Sequence, residues 1–305
     1  MIASWWAVPI ATACLALGDF VNRRVYGWLP EDRPGPGRKQ HERPTPLAGV
    51  LLPVAIAPWL IAANAWLVLA AIALVATVGF VDDRDKEGAG PIDDAGVDWR
   101  IKAAALFSAA ALTATHAHDP TAAPFSWLVA FCLTFVLGNA LNFLDNTDGV
   151  TASLGATLLL GWSLLVAAAG HPAAAELALP AWATACGFAA LAFLPWNWPK
   201  ARFFLGDSGA YTIGLTVSAA IVPQVAWDRD PRLLLTLAVP LIDFGQVVTA
   251  RLAIGVPPWV GDRRHLTHIT QNLGLPRVFV APLFTVLAAG TLVLAFAWRG
   301  CLWAQ

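Results

Sequence analysis

The chain has 305 residues, 58% of them hydrophobic and only 13% charged, with 15 Trp and a mean hydropathy of +0.63. Soluble domains run near half apolar and a quarter charged, so this composition excludes an ordinary soluble domain and points to the bilayer as solvent. A formal net charge of −1 gives no bulk electrostatic pull toward any partner, and nucleic acid is not expected among them.

The first apolar run, about residues 2–20, lacks a basic leader and a cleavage site, and it reads as a retained helix rather than a signal peptide. Further runs follow at about 47–65, 66–82, 103–118, 126–144, 152–170, 181–197, 209–227, 232–253 and 279–298. A helix crossing a bilayer needs roughly 17–25 residues, and the runs at 66–82 and 103–118 are the short ones. Helices are expected because each unpaired backbone group in lipid costs several kcal/mol. Cys14, Cys132, Cys186 and Cys301 sit in apolar segments without paired spacing, as small hydrophobes rather than disulfide partners or zinc ligands. No fixed-period repeat and no low-complexity linker divides the chain. The expectation is an all-α integral membrane protein of about ten transmembrane helices, a single polytopic domain over residues 1–305.

The loops fall into two sets. One comprises about 21–46, 83–102, 145–151, 198–208 and 254–278; with Arg251 beside it, this set holds 16 of the 19 Lys and Arg. The other keeps only Arg229, Arg232 and Arg299. Positive residues stay in the cytoplasm, so the first set is expected there and both termini outside.

Every polar cluster lies in that first set or at the helix ends beside it: GRKQHERPTPLAG (37–49), GFVDDR (79–84), VDWRIK (97–102), NALNFLDNTDG (139–149), FLGDSGA (204–210) and GDRRHLTHIT (261–270). Taken singly, each is an ordinary solvated loop. Together they place carboxylates where helices meet water, which a solvated loop does not require. Asp82, Asp83, Asp145, Asp148 and Asp207 would raise one another's pKa unless a cation intervened. Oxygen ligands without cysteine suit Mg²⁺ or Mn²⁺. On a continuous helix, Asn139, Asn142 and Asn146 would share one face, with Asp145 and Asp148 turning off it, and Asn142 would offer an amide oxygen to the metal. The cations Arg38, Lys39, His41, Lys102, Arg263, Arg264, His265 and His268 complete what a diphosphate asks for. His265 and His268 could instead ligate zinc, but no cysteine or third nearby histidine accompanies them.

These segments, in this order, resemble the polyprenyl-phosphate N-acetylhexosamine-1-phosphate transferases (glycosyltransferase family 4). The motifs are RK-x-H-x-x-P-T-P, GF-x-DD, N-x-x-N-x-x-D-x-x-DG, F-x-GD-x-G and the P-L-x-D…DR-x-H-x-x-H stretch from Pro240 to His268. The resemblance implies Mg²⁺ and transfer of a sugar 1-phosphate from a UDP-sugar to a polyprenyl phosphate lipid, releasing UMP, on the cytoplasmic face of the bacterial plasma membrane. It makes Asn142 and Asp207 the metal ligands. Asp148 and Asp145 lie against the uridine, with Asn139 beside the substrate. Asp82 and Asp83 lie near the attacking phosphate, and Arg263, His265 and His268 near the diphosphate and sugar. Lys39 and Lys102 match basic substrate-side positions. The D-R-x-H-x-x-H form is nearest the undecaprenyl-phosphate GlcNAc-1-phosphate branch; UDP-MurNAc-pentapeptide, UDP-FucNAc and UDP-QuiNAc are the alternative donors, and a homodimer is left open.

Two departures stand out. The usual Gly pair after P-T-P is Gly49-Val50, and the usual D-G-x-D-G is Asp145-Asn146-Thr147-Asp148-Gly149. The stretch DKEGAGPIDDAG at 85–96 has no assigned role and reads as a surface loop. The acceptor monoester, with a second pKa near ~6, is already mostly dianionic at pH 7, so direct attack is favoured over a phospho-aspartate on Asp82 or Asp83. A CDP-alcohol phosphatidyltransferase would need further aspartates at fixed spacing after Asp148-Gly149, and residues 150–165 contain no acid. A transporter would carry its acids near the midplane of repeated halves, and these lie at the membrane edge.

Overall fold

A computed structural model describes residues 3–24, 28–33, 44–86, 96–116, 124–169, 177–226 and 230–299. Its helices are α1 (Ala7–Arg24), α2 (Leu51–Ala62), α3 (Trp66–Asp85), α4 (Trp99–His116), α5 (Pro124–Leu144), α6 (Val150–Ala156), α7 (Trp162–Ala169), α8 (Ala181–Asn197), α9 (Gly206–Ala226), α10 (Ala238–Ala253), α11 (Leu266–Asn272) and α12 (Val280–Trp298). α6 and α7 are joined without a break through a π-turn at Thr157–Gly161. The chain is an all-α, multi-pass membrane protein.

Among the described residues, seven helical segments are long and apolar enough to cross a bilayer: Ser4–Arg24, Trp66–Asp85, Phe125–Leu144, Val150–Ala169, Gly206–Ala226, Arg232–Ala253 and Arg277–Trp298. The expected run at 66–82 is longer than its apolar core suggested, because the helix carries its charges to Asp85. The run at 47–65 corrects the other way. Its helix, α2, has 12 residues, about 18 Å at ~1.5 Å per residue, well short of a ~30 Å hydrocarbon core. Asn64, with φ 54°, turns the chain after it. α4 and α8, at 18 and 17 residues, form where expected but fall outside the seven.

α9 is the central post: 89% of its apolar window is buried, against 22 to 44% in the other six spans. Its sequence explains this, since small residues let neighbouring backbones approach. The Gly214 backbone passes so close to Gly138 of α5 that a Cβ there would stand 3.1 Å from the Gly138 Cα. Its hydroxyls are satisfied internally: Thr212, Thr216 and Ser218 each donate at 2.7 Å to the carbonyl four residues back. Ser208 donates instead to Ala76 O of α3 at 2.7 Å. α3 and α5 flank this post, with α4 on their outer side.

Beside the N-terminus of α9, a two-stranded ribbon pairs β1 (Glu31–Asp32) with β2 (Thr45–Pro46). Phe204 N donates to Pro46 O and Ala48 N to Phe204 O, both at 2.9 Å. Gly49 then passes so close to α9 that a Cβ there would lie 2.0 Å from Leu205 O. One glycine serves this approach, and Val50 takes the second position of the usual pair without loosening the loop.

Candidate active site

Two helix ends build the acidic cluster. Asp82 and Asp83 ride on the last turn of α3 rather than on the loop after it. Asp207 lies in the first turn of α9, where the helix dipole favours a carboxylate. One ligand oxygen from each of the three lies within 4.8 Å of the others. Asp83 Oδ1 accepts from Asp207 N at 3.4 Å, and Asn142 Nδ2 donates to Asp207 Oδ1 at 3.0 Å.

Two lysines face this cluster. Lys102 Nζ is 3.2 Å from Asp82 Oδ2 and 3.6 Å from Asp207 Oδ2, and Lys86 donates to Asp82 from one turn further along α3. Burial alone would lower the Lys86 ammonium, but the carboxylates of Asp207, Asp82 and Asp83 outweigh it and hold its pKa above the usual lysine range. Three acidic side chains thus face two ammonium groups. With an amide at their edge and no cysteine or histidine among them, these donors suit a hard divalent cation such as Mg²⁺ or Mn²⁺.

Asp207 brings the cluster to a cleft of about 510 Å³, which Asp82 and Asp83 do not themselves line. Lys86, Lys102, Asn139, Asn142, Asn146, Asp207, Arg251, Asp262 and His265 supply its polar lining; Phe135, Phe143, Tyr211, Phe244 and Val248 supply an apolar wall. Trp99 and Trp259 stack on each other at its rim, centroids 4.3 Å apart. Asn139 Nδ2 is tied back to Phe135 O at 2.9 Å.

The second half of the NALNFLDNTDGV stretch differs from the expected helix. α5 ends at Leu144, so Asn146 does not continue the face of Asn139 and Asn142. Asn146 is a tie: Nδ2 donates to Phe143 O at 2.7 Å, and Oδ1 accepts from Thr267 Oγ1 at 2.5 Å and Thr147 Oγ1 at 2.9 Å. Gly149, with φ 77°, reverses the chain into α6, in a conformation that favours glycine. Its N–H donates to Asn197 Oδ1 at 2.9 Å. Asp145 and Asp148 are buried beside this turn, and neither lines the cleft. Asp148 instead accepts from Arg277 Nη2 at 2.9 Å and Ala201 N at 3.3 Å.

The histidine segment is fastened by an ion pair that itself lines the cleft. Arg251 Nε donates to Asp262 Oδ2 at 3.0 Å, and Asp262 also accepts from Arg264 N at 2.9 Å and Arg264 Nη1 at 2.6 Å. Burial raises the Asp262 carboxyl, but the hydrogen bonds from Arg251 and Arg264 prevail and hold it at about 2. His265 Nδ1 lies 2.9 Å from Asp243 Oδ2, which removes that nitrogen from zinc ligation. His268 stands 6.3 Å from His265, ring to ring, and its buried Nδ1 has no hydrogen-bond partner among the described residues. Burial, with help from Arg263, His265 and Arg277, pushes its pKa down to about 4. Arg263 is exposed and, like His268, does not line the cleft.

Of the sequence-derived residues, Lys102, Asn139, Asn142, Asn146, Asp207 and His265 therefore line one cleft, and Asp82 and Asp83 lie against it through the lysines and Asp207. Arg38, Lys39, His41 and the 87–95 stretch lie outside the described residues. Lys86, Thr267 and Arg277 were not singled out from sequence, and Asp243, inside the P-L-x-D motif, and Arg251, counted among the loop cations, were given no role there. Lys86 sits three residues after the acidic pair, a spacing that puts it on the same helical face as Asp82 and could have drawn notice.

Residues 65–224 match the family described as Glycosyl transferase family 4. The chain is 30% identical over 243 residues to the Decaprenyl-phosphate N-acetylglucosaminephosphotransferase of Mycobacterium tuberculosis (strain ATCC 25618 / H37Rv), covering 68% of this chain and 57% of that protein. It is 26% identical over 242 residues to the Undecaprenyl-phosphate alpha-N-acetylglucosaminyl 1-phosphate transferase of Yersinia pestis, covering 73% and 63%. It is 29% identical over 256 residues to the Phospho-N-acetylmuramoyl-pentapeptide-transferase of Synechococcus elongatus, covering 74% and 64%. The chain thus spans roughly six tenths of the length of these curated relatives. The matched span takes in the acidic pair, the asparagine stretch and Asp207, and with more than half of the sequence inside it the chain belongs to glycosyl transferase family 4.

Proposed function

We propose that the chain transfers a HexNAc 1-phosphate, GlcNAc 1-phosphate foremost, from a UDP-sugar to a polyprenyl phosphate with release of UMP, initiating a cell-envelope glycan. The observation that carries this reading is the cleft itself: Asp207, Asn142, Lys86, Lys102 and His265 line it beside an apolar wall, and Asp82 and Asp83 stand against Asp207 and the lysines as further hard oxygen donors. That combination suits a diphosphate held beside an isoprenoid lipid. The names of the relatives supply the acceptor and sugar classes. The 16-to-3 division of Lys and Arg between the loop sets supports a cytoplasmic cleft in a bacterial plasma membrane.

In this reading an oxygen of the polyprenyl phosphate attacks the sugar-side phosphorus of the UDP-sugar. A new phosphorus–oxygen bond forms to the lipid phosphate, and the bond to the bridging oxygen breaks, leaving UMP. The acceptor is largely dianionic at neutral pH and needs no base. Lys102 and Lys86 offset the charge that the lipid phosphate brings near Asp82, and the aromatic wall formed by Phe135, Phe143 and Phe244 excludes water and guides the prenyl chain. His265 meets the diphosphate from the lining of the same cleft. Asp82, Asp83, Asp207 and Asn142 would hold Mg²⁺, which when bound stabilises negative charge on the transferring phosphoryl group and the leaving phosphate. Asp145 and Asp148 shape the turn behind the uridine.

The test is purified protein in detergent with polyprenyl phosphate, Mg²⁺ and a panel of UDP-sugars that includes UDP-MurNAc-pentapeptide, since one relative carries that activity in its name. UMP release with UDP-GlcNAc supports the reading, and silence across the whole panel refutes it.

A further inference from the structure

We propose that Asp243 is a positioning residue for His265, fixing the tautomer of the imidazole so that Nε2 is the nitrogen presented to the cleft. The activity arm of its test rests on the transferase reading above; the structural arm does not.

Asp243 is wholly buried within α10, an unusual place for a carboxylate in an apolar helix. Both of its oxygens are engaged by the histidine segment. Oδ2 lies 2.9 Å from His265 Nδ1, and Oδ1 accepts from Leu266 N at 2.7 Å. Main chain and side chain of two successive residues are thus held by one carboxylate across 22 positions of sequence. A carboxylate in this setting accepts only, so Nδ1 carries the hydrogen. Phe143 meets the imidazole edge-on, with centroids 5.7 Å apart and planes at 83°, and restrains the ring from a second side.

His265 lines the cleft while its Nδ1 is turned away toward Asp243. Nε2 is therefore the nitrogen free to meet a ligand, as an acceptor in the neutral ring and as a donor once the ring takes a proton. Phosphate oxygens accept, so the form that grips a diphosphate is the doubly protonated, charged ring, which the Asp243 carboxylate balances from behind; a neutral ring with its hydrogen on Nε2 donates without that charge. The same logic orients a histidine through a buried aspartate wherever the two share a hydrogen bond at Nδ1.

Asp243→Asn separates position from shape. The amide oxygen can keep the Leu266 N–H, which turns the amide NH₂ toward His265 and forces Nδ1 to accept, moving the ring hydrogen to Nε2. Protein labelled with ¹⁵N-histidine in detergent at alkaline pH reports this directly; His265→Gln identifies the resonance. The expected result is a Nδ1-protonated ring in the native protein and a Nε2-protonated ring in Asp243→Asn. Turnover in that variant should fall roughly 100-fold or more, and the loss should vanish in a His265→Gln background. A native ring protonated on Nε2 overturns the proposal, as does an equal loss in both backgrounds. If Asp243→Asn does not fold, the native spectrum alone decides. Absence of UMP release from the native protein would count against the transferase reading, while the spectrum would still judge Asp243.

Discussion

Asn142 Nδ2 lies 3.0 Å from Asp207 Oδ1, joining the last turns of α5 to the first turn of α9 across 65 positions of sequence. This contact is what turns two separate motifs into one oxygen-rich wall. Asp207→Asn keeps the shape and removes a charge. Turnover should fall about a thousandfold or more, because charge stabilisation at the phosphoryl group is worth several kcal/mol. UMP release, with gel filtration showing an unchanged particle, measures this; near-native turnover would remove Asp207 from the site.

Lys86 and Lys102 neutralise part of the acidic cluster from inside the protein. Lys86→Met leaves three carboxylates facing one ammonium. Without divalent cations the variant should lose about 1–3 kcal/mol of stability. Added Mg²⁺ should then raise its melting temperature more than it raises that of the native protein. An equal or smaller rise would argue against cation binding at this cluster.

The Asp148–Arg277 pair, 2.9 Å long, clamps the turn after α5 to the chain leading into α12. If Asp148 acts by shaping that turn, Arg277→Ala should weaken UDP-sugar binding to the same degree as Asp148→Ala. The double variant should be no worse than either single one. KM measured for the three variants gives the answer, and additive losses would mean that Asp148 acts without Arg277.

His268 gives the fold a pH dependence of definite sign. Its folded pKa, pushed to about 4, lies below the ordinary 6.5, so between these values the unfolded chain binds more protons. The stability this neutral ring contributes is fully present above pH 6.5 and is lost as pH falls toward 4. His268→Gln should flatten the fall in melting temperature across that window. An unchanged slope would show that His268 titrates alike in both states.

Much of the site was legible because polar residues stand out in so apolar a chain. Asp82, Asn142 and Asp207 each interrupt a hydrophobic run, and their order carried the resemblance. What was hidden depends on distance or on local stops. Asp243 closes the P-L-x-D motif, but only the fold brings His265 to it. Arg277 read as one more loop cation until Asp148 was found against it. Asn146 fits helical spacing as well as Asn142 does, but the helix ends two residues earlier and Thr267 captures its amide. The shortness of α2 was hidden because residues 47–65 stay apolar past its end. The one signal there was Asn64, a residue tolerant of positive φ.

The central claim is that a sugar phosphate, rather than a sugar alone, passes to the lipid. The direct measurement uses UDP-GlcNAc labelled with ³²P on the sugar-side phosphorus, with polyprenyl phosphate and Mg²⁺. The account predicts that the label enters the organic phase as a lipid diphosphate, in equal amount with unlabelled UMP left in water. Label remaining in the aqueous phase as UDP, while sugar enters the lipid, would contradict it.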